Sequence, residues 1–289
     1  MWFQLKIENC PSDQIDLLSD DLEEGGALSI MLTDKNDNPV LEPEPGTTPL
    51  WPEVVMHSLY AQADEAQRAK EFLALAYPNL TCSIEVLPNK DWERAWMDDF
   101  KPQRFGQRLW ICPTWSTPPE PEAVNLMLDP GLAFGTGTHP TTSLCLTWLE
   151  QAQLEDKSII DYGCGSGILS LAAIKLGAQE VQAVDIDQQA LQATLSNAAT
   201  NEITDKLSVS MPEELEHPVD LIIANILLAP LISLKERFSQ LLKPGALLVV
   251  SGLLTEQSSL LISTYENVFT PVTFEEKDGW TLIVFTRST

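Results

Sequence analysis

The residues best suited to chemistry fall in four short stretches. "DYGCGSGILSLAA" (161–173) places Gly163, Gly165 and Gly167 between the apolar pair Ile159 and Ile160 and a run that favours helix. Glycine lets backbone pass close to a ligand, and the first N–H groups of a helix point outward, so this turn reads as one wall of a binding site. It is not the dinucleotide fingerprint GxGxxG, because Ile168 stands where that pattern needs glycine. In "AVDID", Asp185 falls at the end of the next strand, where a carboxylate can accept both hydroxyls of a ribose. Asp187, just before "QQALQA", reads as a helix cap. "DPGLAFGTGTHPTTS" (129–143) is glycine- and threonine-rich and can order over a ligand; its His139, beside Pro140, reads as a structural hydrogen-bonder rather than a general base. "VDLIIAN" ends on Asn225, at the rim where ligands of open α/β sheets bind. Its side chain can accept from an incoming amine; capping the next helix is the competing role.

These residues need a frame, and from Ala123 onward the pattern supplies one. "AVNLMLD", "SIIDYG", "EVQAVDID", "KLSVS", "VDLIIAN" and "GALLVVSG" read as strands; "PTTSLCLTWLEQA", "GILSLAAIKLG", "QQALQATLSNAATN" and "LLAPLISLKERFSQLL" read as helices. Apolar strands alternating with helices predict a parallel sheet covered on both faces. The tail adds "EQSSLLISTYEN" as a helix, then "VTFEEK" and "WTLIVFTR" around Asp278-Gly279, an antiparallel hairpin at the sheet edge. Such an edge on a doubly wound α/β sheet resembles the S-adenosylmethionine-dependent methyltransferases.

Residues 1–88 form a unit of their own. Strand, helix, strand occurs twice: "WFQLKIE", a helix from Ser12 to the Gly25-Gly26 pair, "ALSIMLT"; then "EVVMHSLYA", "DEAQRAKEFLALAYP", "TCSIEVL". That order predicts a small ferredoxin-like α+β domain. Between the halves, "TDKNDNPVLEPEPGTTPLWP" reads as an exposed loop. Residues 89–121 read as a linker: a short helix "DWERAWMDDF" with Trp92, Trp96 and Phe100 on one face, a strand "RLWICP", and a proline-rich connector. The catalytic domain then spans 122–289.

Composition limits the function classes. Lys and Arg number 17 against 42 Asp and Glu, a formal charge of -25, which repels nucleic acid and favours a basic partner. A local group at Lys101, Arg104 and Arg108 is the one place that leaves room for RNA. Five scattered cysteines without a CxxC pair argue against a disulfide framework and a zinc site, so no metal is expected. No apolar run is long enough for a membrane span, and "MWFQLKIENC" lacks the basic start and apolar stretch of a signal peptide, which points to the cytoplasm.

Together, "DYGCGSGILSLAA", "AVDID", "DPGLAFGTGTHPTTS" and "ANILLAPL" closely resemble the ribosomal protein L-eleven methyltransferase family, along essentially the whole chain. The resemblance implies S-adenosylmethionine as methyl donor, and as substrate the N-terminal α-amine and lysines of a basic large-subunit ribosomal protein, trimethylated by an enzyme that meets nucleic acid only through the ribosome; a monomer is expected. It also implies that the N-terminal domain recognises that protein. Donor contacts carry over to Thr142, Gly163, Asp185 and Asn225, with Gly165, Gly167 and the loop residues Phe134, Gly135 and Thr136 beside them. Asp161 would face the methionine end, and Asn225 would also position the substrate amine. The NPPY motif of related amine methyltransferases is reduced to Asn225, Ile226 and Leu227. A methyltransferase acting on RNA, a small molecule or another protein, a nicotinamide-dependent dehydrogenase, and a non-catalytic ribosomal-protein adaptor are the alternatives.

Overall fold

A computed structural model of the chain describes residues 1–36, 50–51, 53–88, 100–129 and 137–288, in two compact units, Met1–Ala95 and Trp96–Thr289. In the first, β1 (Trp2–Cys10), α1 (Ile15–Glu24), β2 (Ser29–Asp34), β3 (Val54–Tyr60), α2 (Ala63–Ala76) and β4 (Thr81–Leu87) follow one another. The strands form an antiparallel sheet in the order β2-β3-β1-β4. Leu5, Ile7, Val54, Met56 and Tyr60 alternate along the inner strands and are buried against Leu18 and Leu22 of α1 and Leu73 of α2. The Tyr77 hydroxyl donates to Asp21 at 2.6 Å, tying the end of α2 to α1. Ser12 does not cap: it lies in a 3-10 turn, Ser12–Gln14, ahead of α1 and makes no capping bond. Of the expected loop at 33–52, Thr33 and Asp34 end β2, and residues 37–49 and 52 lie outside the described residues.

The second unit carries a seven-stranded sheet ordered β10-β9-β8-β11-β12-β14-β13. Its strands are β8 (Ser158–Tyr162), β9 (Glu180–Val184), β10 (Leu207–Ser210), β11 (Val219–Asn225), β12 (Leu242–Leu254), β13 (Phe269–Lys277) and β14 (Trp280–Arg287). Strands β8 to β12 pair in parallel; β12 with β14 and β14 with β13 are antiparallel, and Asp278 (φ 51°) and Gly279 (φ 80°) make the expected tight turn. Helices α3 (Pro140–Gln151), α4 (Ile168–Lys175), α5 (Gln188–Thr200), α6 (Leu228–Ser233), α7 (Lys235–Leu241) and α8 (Ser258–Tyr265) complete it.

Both faces of the sheet are apolar, as parallel pairing requires. Ile159, Val181, Leu221 and Ile223 point into one cluster with Leu144, Leu146, Leu149 and Leu171; Ile160, Val184, Ile222 and Ala224 point into the other, with Leu231, Phe238 and Tyr265. The period of two fixes the direction of each strand's polar end. Asp161 and Asn225 therefore lie on the α3 and α4 side.

Two expectations are corrected. The strand at 124–127 does not join the large sheet: β5 (Gln103–Phe105), β6 (Leu109–Cys112) and β7 (Val124–Met127) form a separate three-stranded sheet. Its Phe105, Leu109, Ile111 and Leu126 are buried in the core shared with α3 and α4. The segment drawn as one helix, 227–242, breaks at Leu234 into α6 and α7. Of the "DWERAWMDDF" helix, only Phe100 lies within the described residues.

Candidate methyl-transfer site

Chain order turns back between β8 and β11: from β8 the chain runs outward to β9 and β10, then returns to β11 and β12. Open α/β sheets bind ligands at the carboxyl ends of the strands at such a switch point. There β8 ends beside the glycine turn, β9 ends before Asp185, and β11 ends on Asn225.

Gly163 (φ 82°), Gly165 (φ 54°) and Gly167 (φ 79°) all hold left-handed backbone, so their conservation of shape depends on lacking a Cβ. A Cβ on Gly163 would run into Ile226 Cγ2, and one on Gly167 would sit 2.8 Å from Thr194. The turn is anchored on the end of β9, since Gly163 N and Cys164 N donate to Val184 O at 2.8 and 3.0 Å. It is also anchored on α5, where Thr194 Oγ1 donates to Gly165 O at 3.1 Å and Asn197 Nδ2 to Ser166 O at 2.8 Å. Thr194 and Asn197 were missed from sequence. Their only signal was a polar pair at i, i+3 beside buried Ala190 and Ala198 on one helix face. Burial pushes the Cys164 thiol, inside the turn, up to about 12, so it stays protonated.

The two acids differ. Asp185 accepts from Gly165 N through Oδ2 and from Asp187 N through Oδ1, both at 3.0 Å. A carboxylate has about four lone-pair sites, so both oxygens keep an accepting direction while the backbone fixes the group. Asp187 caps α5, accepting from Gln189 N at 2.9 Å. Ile186 between them is 79% exposed, an apolar surface beside the carboxylate. Asp161 is 1% exposed; its Oδ2 accepts from Ser170 N at 2.9 Å and Ser170 Oγ at 2.6 Å, and its Oδ1 has no partner among the described residues. Burial raises its pKa to about 6 against the two Ser170 bonds, with the Asp185 charge adding to the rise.

Asn225 and Thr142 are brought together across 83 positions of sequence: Asn225 Nδ2 donates to Thr142 Oγ1 at 3.3 Å. Thr142 is 1% exposed in the first turn of α3. Asn225 does not cap the following helix, whose N-cap is Leu227 with no side-chain bond. His139 is the N-cap of α3: its Nδ1 lies 3.3 Å from Thr141 N and 2.7 Å from Thr141 Oγ1. Burial lowers its pKa, which keeps the ring neutral and Nδ1 available as an acceptor. Phe134, Gly135 and Thr136 lie outside the described residues.

The basic group is largely neutralised. Arg104 lies 3.4 Å from Glu120 with its guanidinium over Trp110, and Arg108 lies 3.3 Å from buried Glu150. Among the described residues there is no His, Cys, Asp and Glu cluster that could hold a metal, and no helix long and apolar enough to cross a membrane.

A doubly wound sheet with an antiparallel edge hairpin and a glycine turn at its switch point is the fold of the Rossmann-like, S-adenosylmethionine-dependent methyltransferases. The chain has that fold: it is similar to a crystal structure of ribosomal protein L11 methylase from Lactobacillus delbrueckii subsp. bulgaricus, with TM-score 0.61 and 31% identity, covering 66% of this chain and 100% of that one. Within the class, the family model described as ribosomal protein L11 methyltransferase matches residues 1–288, and the chain belongs to that family. It is 72% identical over 287 residues to the protein of that name from Legionella pneumophila (strain Paris), covering 99% of each chain. It is 48% identical over 288 residues to the one from Nitrosococcus oceani, covering 98% of each. Membership removes the nicotinamide-dependent dehydrogenase and the non-catalytic adaptor as readings.

Proposed function

We propose that the chain transfers methyl groups from S-adenosylmethionine to amines of ribosomal protein L11, its N-terminal α-amine and lysine side chains, up to trimethylation. The observation that carries this reading is whole-length membership of the family, residues 1–288. Asp185 takes the ribose hydroxyls, Ile186 lies against the base, and the turn at Gly163, Gly165 and Gly167 admits the donor's backbone-facing side. Asp161 Oδ1, a buried acceptor without a partner among the described residues, suits the ammonium of the methionine end. Bound, the donor supplies a sulfonium methyl group that is already a strong electrophile.

The protein's own task is alignment and exclusion of water. With Asn225 Nδ2 spent on Thr142, the Asn225 carbonyl oxygen is left to accept from the substrate amine. Residues 1–88 are read as a ferredoxin-like recognition domain, 89–121 as a connector and 122–289 as the transfer domain; the reading places a monomer in the cytoplasm. The supporting feature of the first is the strand order β2-β3-β1-β4 with two helices.

Incubation with isotopically labelled S-adenosylmethionine and total ribosomal proteins should give mass gains in multiples of one methyl group on one large-subunit protein. Label on RNA alone would overturn the substrate.

A rate order follows from amine chemistry. Only a neutral amine has the free electron pair that attacks the sulfonium methyl carbon, so deprotonation precedes transfer. An α-amine has a reference pKa of about 7.7 to 8.0 and lysine about 10.4, so the α-amine should react faster near pH 7, with the gap closing as pH rises. Initial rates on α-blocked and lysine-free substrates from pH 7 to 9 measure this. A lysine advantage at pH 7 would refute it.

A further inference from the structure

The tip of the β13–β14 hairpin is held against the first turn of α3 at two points. Trp280, 6% exposed, meets the His139 ring edge-on, with centroids 4.8 Å apart and planes at 70°. Lys277 Nζ donates to Ser143 Oγ at 2.8 Å. A cation at a helix N-terminus opposes the macrodipole, so local helix stability does not account for Lys277 there. His139 in turn caps Thr141, and the next residue, Thr142, accepts from Asn225. The hairpin tip is itself fixed: Thr255 N donates to Gly279 O at 2.9 Å and Ser251 Oγ to Thr281 O at 2.7 Å. Both anchors lie in or beside β12, whose Ser251 pairs in register with Asn225.

From this chain of contacts we infer that His139, Trp280 and Lys277 are positioning residues: the C-terminal hairpin sets the first turn of α3, and through it the Thr142 hydroxyl, against Asn225. The inference rests on the proposed role of Asn225 and Thr142 in holding donor and amine. Neither His139 nor the hairpin touches the reacting atoms in this scheme. Their effect passes through one hydroxyl.

A double-mutant cycle separates this from a general structural role. His139→Ala should lower kcat for methylation of the ribosomal protein by about fivefold to tenfold, the size of a lost helix cap. His139→Asn, which still caps but lacks the ring that meets Trp280, should recover only part of the loss, to within about threefold. In a Thr142→Val background, His139→Ala should cost less than about twofold more, because coupled residues are non-additive. Lys277→Met, at an exposed position, provides a second arm and should likewise lose its effect in the Thr142→Val background. Equal, additive losses in both backgrounds would overturn the inference while leaving the methyltransferase reading intact. An unmodified chain that binds S-adenosylmethionine but methylates no ribosomal protein would overturn the reading on which it rests.

Discussion

Asp185→Ala is expected to weaken S-adenosylmethionine binding about 100-fold with little change in fold. Two backbone N–H groups, from Gly165 and Asp187, hold the carboxylate at 3.0 Å each, so it meets the donor already oriented. Two hydroxyls bonded to an ionised acceptor contribute about 1.5 kcal/mol each at the low end, and about 3 kcal/mol corresponds to roughly 100-fold. Asp185→Asn is not a mild change. Whichever way the amide turns, its NH2 faces one of the two backbone donors. Asp187→Ala is the control: it removes the α5 cap, costs about 1 kcal/mol of stability, and should leave donor affinity within about threefold. Calorimetric titration of the three variants decides it, and equal losses for Asp185→Ala and Asp187→Ala would reassign the ribose contact.

Much of this geometry was legible before any coordinates. The apolar runs ending at Tyr162, Val184 and Asn225 are long and regular enough to fix the central strands, and the glycines and Asp278-Gly279 mark turns that need left-handed backbone. Local signals failed where a distant partner decides. Val124–Met127 looks like any apolar strand; only burial of Leu126 with Phe105 and Ile111 sends it to a second sheet. Ser12 has a capping side chain, yet the chain enters α1 through a 3-10 turn that bypasses it. Thr194 and Asn197 carry no motif of their own, because the carbonyls they bond lie about thirty residues away, in the glycine turn. Arg104 and Arg108 look like a basic patch in a row of letters, and their acidic partners Glu120 and Glu150 appear only in three dimensions.

Asp161→Asn should change how stability depends on pH more than it changes stability at any one pH. The folded carboxyl has a pKa of about 6 against an ordinary value of 3.8, so between these values the native state holds a proton that the unfolded chain has lost. Stability therefore falls as pH rises through that window, by about 3 kcal/mol in all at 1.36 kcal/mol per unit, and the deficit persists above it. In the asparagine variant the carboxamide oxygen keeps both Ser170 bonds, and an NH2 replaces the oxygen that has no partner among the described residues. That orphan amide costs about 1–3 kcal/mol, but the cost does not titrate. The difference in unfolding free energy between variant and parent should thus move by about 2 kcal/mol in favour of the variant from pH 4 to pH 7. Denaturant titrations at four or five pH values measure it without a donor present. With donor, the order reverses: an ammonium paired with Asp161 Oδ1 needs the ionised form, so affinity of the parent should rise through pH 6 and that of the variant should stay flat. Parallel stability curves would mean that Asp161 has the same pKa folded and unfolded, and that burial does not govern its charge.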